Sequence, residues 1–136
     1  MKLSIIQIPI FPLYKKPLLQ AIRVWKKTGV GFDTLATSSA LNSRQTATVL
    51  RKKCLVKKKP QVWEAFSDTP SLIDRIKLES PTAHLALVCT ASEQRALLEA
   101  FKLSSDFYSL TPCGWIMIEL DLSTLQGCIQ GIINPL

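Results

Sequence analysis

Hydrophobic and polar positions follow the clearest pattern in the second half of the chain. HLALVCT, from His84 to Thr90, is a continuous apolar run with the length of a buried strand. Thr90 and Glu93 have the spacing of a capping box, and they open EQRALLEAFKL, whose apolar residues recur at helical intervals. This stretch therefore predicts a strand followed by a capped helix.

The last part of the chain predicts a hairpin and a closing helix. FYSL and WIMIEL lie on either side of TPCG, a turn that ends in Gly114. Ser123 and Gln126 repeat the capping-box spacing, and the apolar residues that follow recur at steps of three and four. Residues 83–133 thus predict a β-α-β-β-α unit, with helices packed on a mostly antiparallel sheet.

The first half predicts mainly helices. IIQIPIF at the start favours an extended edge segment, because its prolines cannot donate to a sheet. Pro17 suits the first position of a helix over about 18–28. Asp33 can cap a short helix in TLATSSAL, which leads into a further helix from about residue 43. Thr69 and Pro70 open a helix through SLIDRIKL.

The fold class that follows is α+β, in a single compact domain. A chain of 136 residues fits one domain, and its 47% of apolar and 20% of charged residues are typical of a folded protein. Within the domain 1–136 we expect a basic, mainly helical subregion over 1–60, and an α+β subregion over 61–136.

The sequence indicates a cytoplasmic or otherwise intracellular protein that is not secreted. The first apolar run is broken by Pro9 and Pro12, unlike a signal peptide, and no stretch reaches the roughly 18 apolar residues of a transmembrane segment. The four cysteines form no close pair, so we expect them to be reduced and mostly buried. Cys113, in the predicted turn, is the one expected to be exposed.

Charge is distributed very unevenly along the chain. Residues 1–60 carry 13 Lys and Arg against Asp33 alone, whereas residues 61–136 carry 4 basic and 9 acidic residues. The basic run RKKCLVKKKP, residues 51–60, lies at the end of the positive half. Such asymmetry is typical of proteins that meet an anionic partner.

The segment from Asp33 through the basic run also fits a helix-turn-helix, with a recognition helix that begins near Ser43. Arg and Gln side chains can pair with base edges, and Lys with phosphates. A surface helix with a basic outer face explains the same pattern. The residues expected to contact nucleic acid or another anion are Arg44, Gln45, Thr48, Arg51, Lys52, Lys53, Lys57, Lys58 and Lys59.

Catalytic motifs are missing from the sequence, and we therefore expect a protein that is not an enzyme. The chain has one histidine, His84, and its five glycines form no phosphate-binding loop of known spacing. His84 stands at the start of an apolar strand, where a structural role is commoner than a catalytic one. No catalytic residue, cofactor or metal site is predicted.

The C-terminal half resembles the MmcQ/YjbR family, small proteins with a CyaY-like, double-wing α+β fold. The matching features, in order, are residues 90–101, Phe107, Trp115, Leu120 and the predicted helix from Leu122. The resemblance implies that fold and a role in DNA binding, and it covers roughly the last third of the chain. The Gly-Lys-containing strand pair that the family shows upstream is replaced by the basic run.

The function expected from the sequence is that of a non-enzymatic nucleic-acid-binding or regulatory protein, with DNA or RNA bound on a basic surface over residues 44–59. The alternative is a viral matrix-like or accessory protein that binds an anionic membrane or an acidic protein and self-associates as a homo-oligomer.

Overall fold

The computed structural model describes residues 1–8, 15–27, 31–54, 56–103 and 113–134. These residues form six strands, four α-helices and one 3₁₀ turn. In chain order they are β1 (Lys2–Gln7), α1 (Lys15–Lys27), β2 (Thr34–Thr37), α2 (Leu41–Lys53), β3 (Gln61–Val62), the 3₁₀ turn (Glu64–Ser67), α3 (Thr69–Lys77), β4 (His84–Cys89), α4 (Ala91–Ala100), β5 (Trp115–Asp121) and β6 (Gln126–Ile133).

The strands form one mixed sheet in the order β3-β2-β4-β1-β5-β6. β1, β2, β3 and β4 run parallel to one another, β5 runs antiparallel to β1, and β6 pairs antiparallel with β5. All six residues of β4 are buried, as expected for a strand covered on both faces.

Helices cover both faces of the sheet. One hydrophobic core lies under α1 and α2 and includes Leu18 and Leu50. The other lies under α3 and α4 and includes Ile76 and Leu97. The two N-terminal helices therefore share one face, and the two later helices share the other.

The prediction of one compact α+β domain is confirmed. So are the helices near residues 18–28 and 43, the helix that starts at Thr69, and the strand that starts at His84. The capping box is present as well, since Thr90 Oγ1 accepts from the Glu93 N–H and a Glu93 carboxylate oxygen accepts from the Thr90 N–H.

The pairing of the sheet differs from the expected one. Three strand pairs are parallel and two are antiparallel, and β2, which forms two of the parallel pairs, comes from the half that was expected to be helical. β1 lies in the middle of the sheet, between β4 and β5, and not at an edge. The paired residues of β1 are Lys2 to Gln7, so the strand ends before Pro9 in the sequence.

The predicted closing helix is strand β6, which pairs with β5. Two glycines disfavour a helix here, and Gly127 also permits close packing, since a Cβ atom at this position would lie 3.1 Å from Ile118 and Leu103. The predicted hairpin arm FYSL, with Phe107, lies outside the described residues.

Candidate functional site

The connections of the sheet mark one edge as the place for a ligand. β1 and β4 are neighbours, yet β1 leads into α1 on one face and β4 leads into α4 on the other. Where the helices after two adjacent parallel strands diverge, the carboxyl ends of the strands leave a crevice that ligands use in open α/β sheets. We call this end of the sheet, with the turns that follow β2 and β4, the carboxyl edge.

Polar residues without charge line the carboxyl edge. In the register of the sheet, Gln7 pairs with Cys89, and Thr37 pairs with Val88. Since strands lie about 4.8 Å apart, the ends of β1 and β2 are about 10 Å apart, with β4 between them. The polar residues at these strand ends and in the next turns are Gln7, Thr37, Ser38, Ser39, Asn42, Ser43 and Thr90.

Three helices, α1, α2 and α4, begin at the carboxyl edge, and α4 is already capped. Thr90 Oγ1 accepts from the Glu93 N–H at 3.2 Å, and Glu93 Oε1 accepts from the Thr90 N–H at 2.8 Å. The Glu93 carboxylate also offsets the positive end of the helix dipole. The N-terminus of α4 is therefore a poor place for an anion.

The N-terminus of α2 has the opposite character. Its N-cap residue, Ala40, has no side-chain oxygen, and no acidic residue lies in the first turn. The N–H groups of Leu41, Asn42 and Ser43 have no partner within the helix, because the first turn offers none. The helix dipole and the exposed Arg44 side chain both make the electrostatic potential at the N-terminus of α2 more positive. Such an N-terminus is suited to an anion.

A buried hydroxyl lies in the same turn. Ser43 has no exposed surface, and its Oγ has no hydrogen-bond partner among the described residues. Thr46, on the same buried side of α2, differs because its Oγ1 donates to the Asn42 carbonyl at 2.8 Å. Leaving a buried hydroxyl unpaired costs about 1–3 kcal/mol, so Ser43 is a group that a bound ligand could satisfy.

The single histidine is at the other end of the sheet. His84 begins β4, and its Nε2 lies 3.1 Å from Ser4 Oγ. Its backbone N–H donates to Asp33 Oδ2 at 3.1 Å. Burial lowers the pKa of the His84 imidazole below its ordinary value of 6.5, and the Asp33 carboxylate opposes that shift. The chain therefore has no imidazole at its carboxyl edge.

The predicted helix-turn-helix is wrong. TLATSSAL does not form its first helix, because Thr34–Thr37 is a fully buried strand paired with β3 and β4. Four buried residues show no helical period, and the sheet on both sides determines their conformation. The proposed recognition helix exists as α2, but it packs on the sheet and has no partner helix of that motif.

The predicted anion-binding residues fall into two groups. Six of them lie on α2, which places Arg44 near the carboxyl edge and Lys53 at the far end. Lys57, Lys58 and Lys59 follow in the connection to β3, where Arg51 Nη2 donates to the Lys57 carbonyl at 3.3 Å. The full set is Arg44, Gln45, Thr48, Arg51, Lys52, Lys53, Lys57, Lys58 and Lys59.

A cavity of about 560 Å³ lies beside this second group, at the end of the sheet where β2 and β4 begin, which we call the amino edge. Lys57 and Lys58 line it together with Asp33 and Glu79. Two cations are thus balanced by two carboxylates, and the cavity has no excess of positive charge for an anion.

The cysteines offer no reactive thiolate at a site. None of the four forms a disulfide bond, and burial raises the pKa of Cys54 and of Cys113 to about 11 and that of Cys89 well above its usual range. The expectation that Cys113 is exposed is wrong, because it is fully buried, whereas Cys128 is exposed. Within the described ranges, no group of three or more His, Cys, Asp and Glu side chains is placed to hold a metal ion.

Solved structures with the same fold are enzymes of phosphate chemistry. The protein histidine phosphatase SixA, complexed with tungstate, matches with a TM-score of 0.84 and 14% identity over 99% of this chain and 97% of that chain. A mycobacterial glucosyl-3-phosphoglycerate phosphatase matches with a TM-score of 0.65 and 12% identity over 95% and 96% of the two chains. A phosphoserine phosphatase from Entamoeba histolytica, in complex with 3-phosphoglyceric acid, matches with a TM-score of 0.64 and 11% identity over 96% and 95%.

At such identities the similarity shows the fold, which is that of the histidine phosphatases and phosphoglycerate mutases. No family model matches the chain, and no curated protein matches its sequence. The expected relationship to the MmcQ/YjbR family is wrong, because the parallel core and the order of the strands are those of the phosphatase fold.

The functional expectations change with the fold. A DNA-binding, regulatory or matrix-like protein that is not an enzyme was expected, whereas the three structures named above are phosphatases. The expectation of nucleic acid as the main partner, with an anionic membrane or an acidic protein as the alternative, is corrected by the same structures, whose names give phosphorylated substrates. Among the described residues, no helix is long and apolar enough to cross a bilayer.

Sequence reasoning missed the carboxyl edge because its residues form no motif. A usable signal was present, since TSS follows the apolar TLA, and Thr90 follows the apolar run of β4. Two short apolar runs that each end in hydroxyl residues are typical of parallel strands with a polar carboxyl edge. That signal requires two parallel strands, and the interpretation of TLATSSAL as a helix had excluded the first of them.

Proposed function

We propose that the carboxyl edge binds the phosphoryl group of a phosphorylated substrate. The observation that carries the proposal is the uncapped N-terminus of α2. It lies at the carboxyl edge, and its first turn contains the unpaired hydroxyl of Ser43. Three free N–H groups, a helix dipole and a hydroxyl together provide donors and positive potential for phosphoryl oxygens.

The fold supports the same ligand chemistry. SixA is complexed with tungstate, a tetrahedral oxyanion similar in shape to phosphate, and the Entamoeba phosphatase with a phosphorylated acid. Between the N-termini of α2 and α4, we assign the phosphoryl group to α2, because the Glu93 carboxylate occupies that of α4. Thr37 and Ser38, which also carry hydroxyl groups, lie at the end of β2 and precede the same turn in the chain.

Any phosphoryl transfer at this edge must proceed without a phosphorylated histidine. His84 is the only histidine of the chain, and it lies at the amino end of β4, about 20 Å along the strand from the carboxyl edge. In place of imidazole the edge offers hydroxyl and amide groups, which bind and orient a phosphoryl group. The proposal therefore concerns recognition of the phosphorylated group.

An intracellular location is part of the same proposal. Four cysteines that form no disulfide bond, of which Cys89 and Cys113 are fully buried, suit a compartment in which thiols stay reduced.

The proposal is tested by isothermal titration of the protein with tungstate and with inorganic phosphate. Replacing Ser43 by Ala should weaken binding about 10- to 100-fold, the contribution of about one hydrogen bond to a charged group. The free energy of unfolding should stay unchanged or increase, because Ser43→Ala removes an unpaired buried hydroxyl.

Thr46→Val is the matched control. It alters a buried hydroxyl of the same helix that is already paired with Asn42, so it should leave the affinity for both anions unchanged. Absence of tungstate binding to the wild-type protein, or equal losses in the two variants, would overturn the proposal.

A further inference from the structure

The two faces of the sheet differ sharply in charge. α1 and α2, which share one face, contain no acidic residue, and neither does the run that follows α2 to Pro60. α3 and α4, on the other face, mix both signs, with Asp74, Glu93 and Glu99 among their basic residues. We call the outer surface of α1 and α2 the basic face. The charge asymmetry along the sequence is thus an asymmetry between two faces of the molecule.

The basic face begins at the carboxyl edge and extends away from it. Both helices follow parallel strands, so they run from the carboxyl edge back towards the amino edge. Each has 13 residues and is about 20 Å long. Lys16 and Arg44 are exposed near the start of the two helices. At the other end of the two helices Lys26, Lys27, Lys52 and Lys53 are exposed.

A surface of this length exceeds what a small phosphorylated metabolite can cover. One phosphoryl group uses the first turn of α2, and the cations beyond it can meet only further negative charges of the same ligand. Charges so far apart indicate a macromolecule, whose approach the basic face would also accelerate by steering.

Apolar residues on the same surface favour a protein over a nucleic acid. Val24 on α1 is 49% exposed, and Leu41 on α2 is 61% exposed. A phosphodiester backbone offers these side chains little to pack against, whereas protein interfaces combine apolar contacts with a charged rim.

We propose that the basic face docks an acidic phosphoprotein and presents its phosphorylated side chain to the carboxyl edge. This inference rests on the proposed function, because it names the substrate class of the same site. The exposed cations that would meet the acidic surface are Lys16, Arg23, Lys26, Lys27, Arg44, Lys52 and Lys53.

The test uses fluorescent peptides long enough to span the face. One carries a phosphoserine beside a run of glutamates, the second has glutamines in place of the glutamates, and the third is the acidic peptide without phosphate. We expect the acidic phosphopeptide to bind about tenfold more tightly than the glutamine phosphopeptide at low salt, and this advantage to shrink as salt is added.

Two double variants locate the effect. Arg23→Glu with Lys52→Glu changes the basic face, and Lys77→Glu with Arg95→Glu makes the same change of net charge on the opposite face, where both side chains are exposed. The first should abolish the advantage of the acidic phosphopeptide, and the second should preserve it. Equal behaviour of the two variants, or no advantage in the wild-type protein, would overturn the inference.

Two further arms separate this inference from the proposed function. If the acidic peptide without phosphate binds as tightly as its phosphorylated form, the phosphoryl site has failed while docking on the basic face stands. If tungstate binds and the glutamates add nothing, the docking surface has failed while the phosphoryl site stands. A DNA duplex that displaces the acidic phosphopeptide at lower concentration than unlabelled peptide would overturn the assignment to a protein.

Discussion

His84 Nε2 and Ser4 Oγ lie 3.1 Å apart where β1 and β4 begin, at the end of the sheet opposite to the proposed phosphoryl site. Both residues are buried, and Phe32 packs edge-on against the imidazole with ring centroids 6.1 Å apart. The backbone N–H of His84 donates to the Asp33 carboxylate, and this hydrogen bond connects the start of β4 with the turn before β2. The only imidazole of the chain is therefore a structural group.

We predict that His84→Asn leaves any phosphatase activity of the protein unchanged. Loss of a residue that carries the phosphoryl group would cost several orders of magnitude in rate. The measurement is hydrolysis of p-nitrophenyl phosphate by wild-type and variant proteins, with circular dichroism to confirm that the variant is folded. A folded variant that has lost a measurable wild-type activity would contradict the placement of the site at the carboxyl edge.

We predict that acidification through the range just below pH 6.5 destabilises the protein. The pKa of His84 is lowered on folding by burial, so between 6.5 and the folded-state pKa the unfolded chain binds a proton that the native state does not. The free energy of unfolding therefore falls with falling pH in this window and is insensitive to His84 above it. Asp33 and Glu119 oppose the shift, and Lys2 adds to it.

Urea unfolding at several pH values between 5 and 8 checks this, with His84→Gln as the reference. The slope of the free energy of unfolding against pH should flatten in the variant, whatever its absolute stability. Asp68 and Asp121, whose pKa values are lowered by hydrogen bonds from Ser71 and Ser123, titrate in a more acidic range and leave this window unaffected. Equal slopes in the two proteins would refute the assignment.

We predict that Ala40→Asp changes stability and ligand affinity in opposite directions. Ala40 is exposed in extended backbone at the N-cap of α2, and an aspartate there can accept from the free N–H groups of the first turn. The free energy of unfolding should rise by about 1 kcal/mol. Tungstate affinity should fall, because the carboxylate takes the same donors and repels the anion.

Ala40→Asn is the control for charge at this position. It caps the helix with a similar stabilisation but adds no charge, so its loss of tungstate affinity should be smaller than that of Ala40→Asp. Stabilised variants that bind tungstate as well as the wild type would show that the anion does not use the N-terminus of α2.

A further prediction concerns the end of α4. Lys102 has a φ of 62°, and it follows the C-cap residue Phe101, where the Leu103 N–H donates to the Leu98 carbonyl at 2.8 Å. Glycine adopts this conformation without strain, so Lys102→Gly should raise the free energy of unfolding by about 0.5–1 kcal/mol. Lys52→Gly, in α2, should lower it by about 1 kcal/mol. Thermal and urea unfolding measure both, and destabilisation by Lys102→Gly would contradict the backbone geometry.

Local signals in the sequence were sufficient for the helices and for β4. Pro70, the Thr90 and Glu93 capping box, and the apolar faces of α1 and α4 act within a few residues, so the sequence alone predicts these elements. Neighbouring strands determine β2 and β6 instead. TLAT is too short to show a period, and QGCIQGII has apolar residues that fit a helix as well as a strand until pairing with β5 fixes them.

The candidate site depended on the same missing information. Ser43 and Thr90 are 47 residues apart in the sequence, and only parallel pairing of β2 with β4 brings their helices to one edge. The basic residues of α1 and α2 were visible as a charge imbalance, but the side of the sheet on which they lie follows from the crossover connections. A charge count therefore predicted an anionic partner and could not place the binding site.

Binding of a phosphoryl oxyanion at the carboxyl edge is tested most directly by amide chemical shifts of the ¹⁵N-labelled protein during titration with tungstate. The account predicts saturable shifts for the amides of Leu41, Asn42 and Ser43, with smaller shifts at Ser38 and Thr90. Amides around His84 and Lys57, at the amino edge, should not move. Shifts that centre on Lys57 and Lys58, or on the N-terminus of α4 with α2 unaffected, would contradict it.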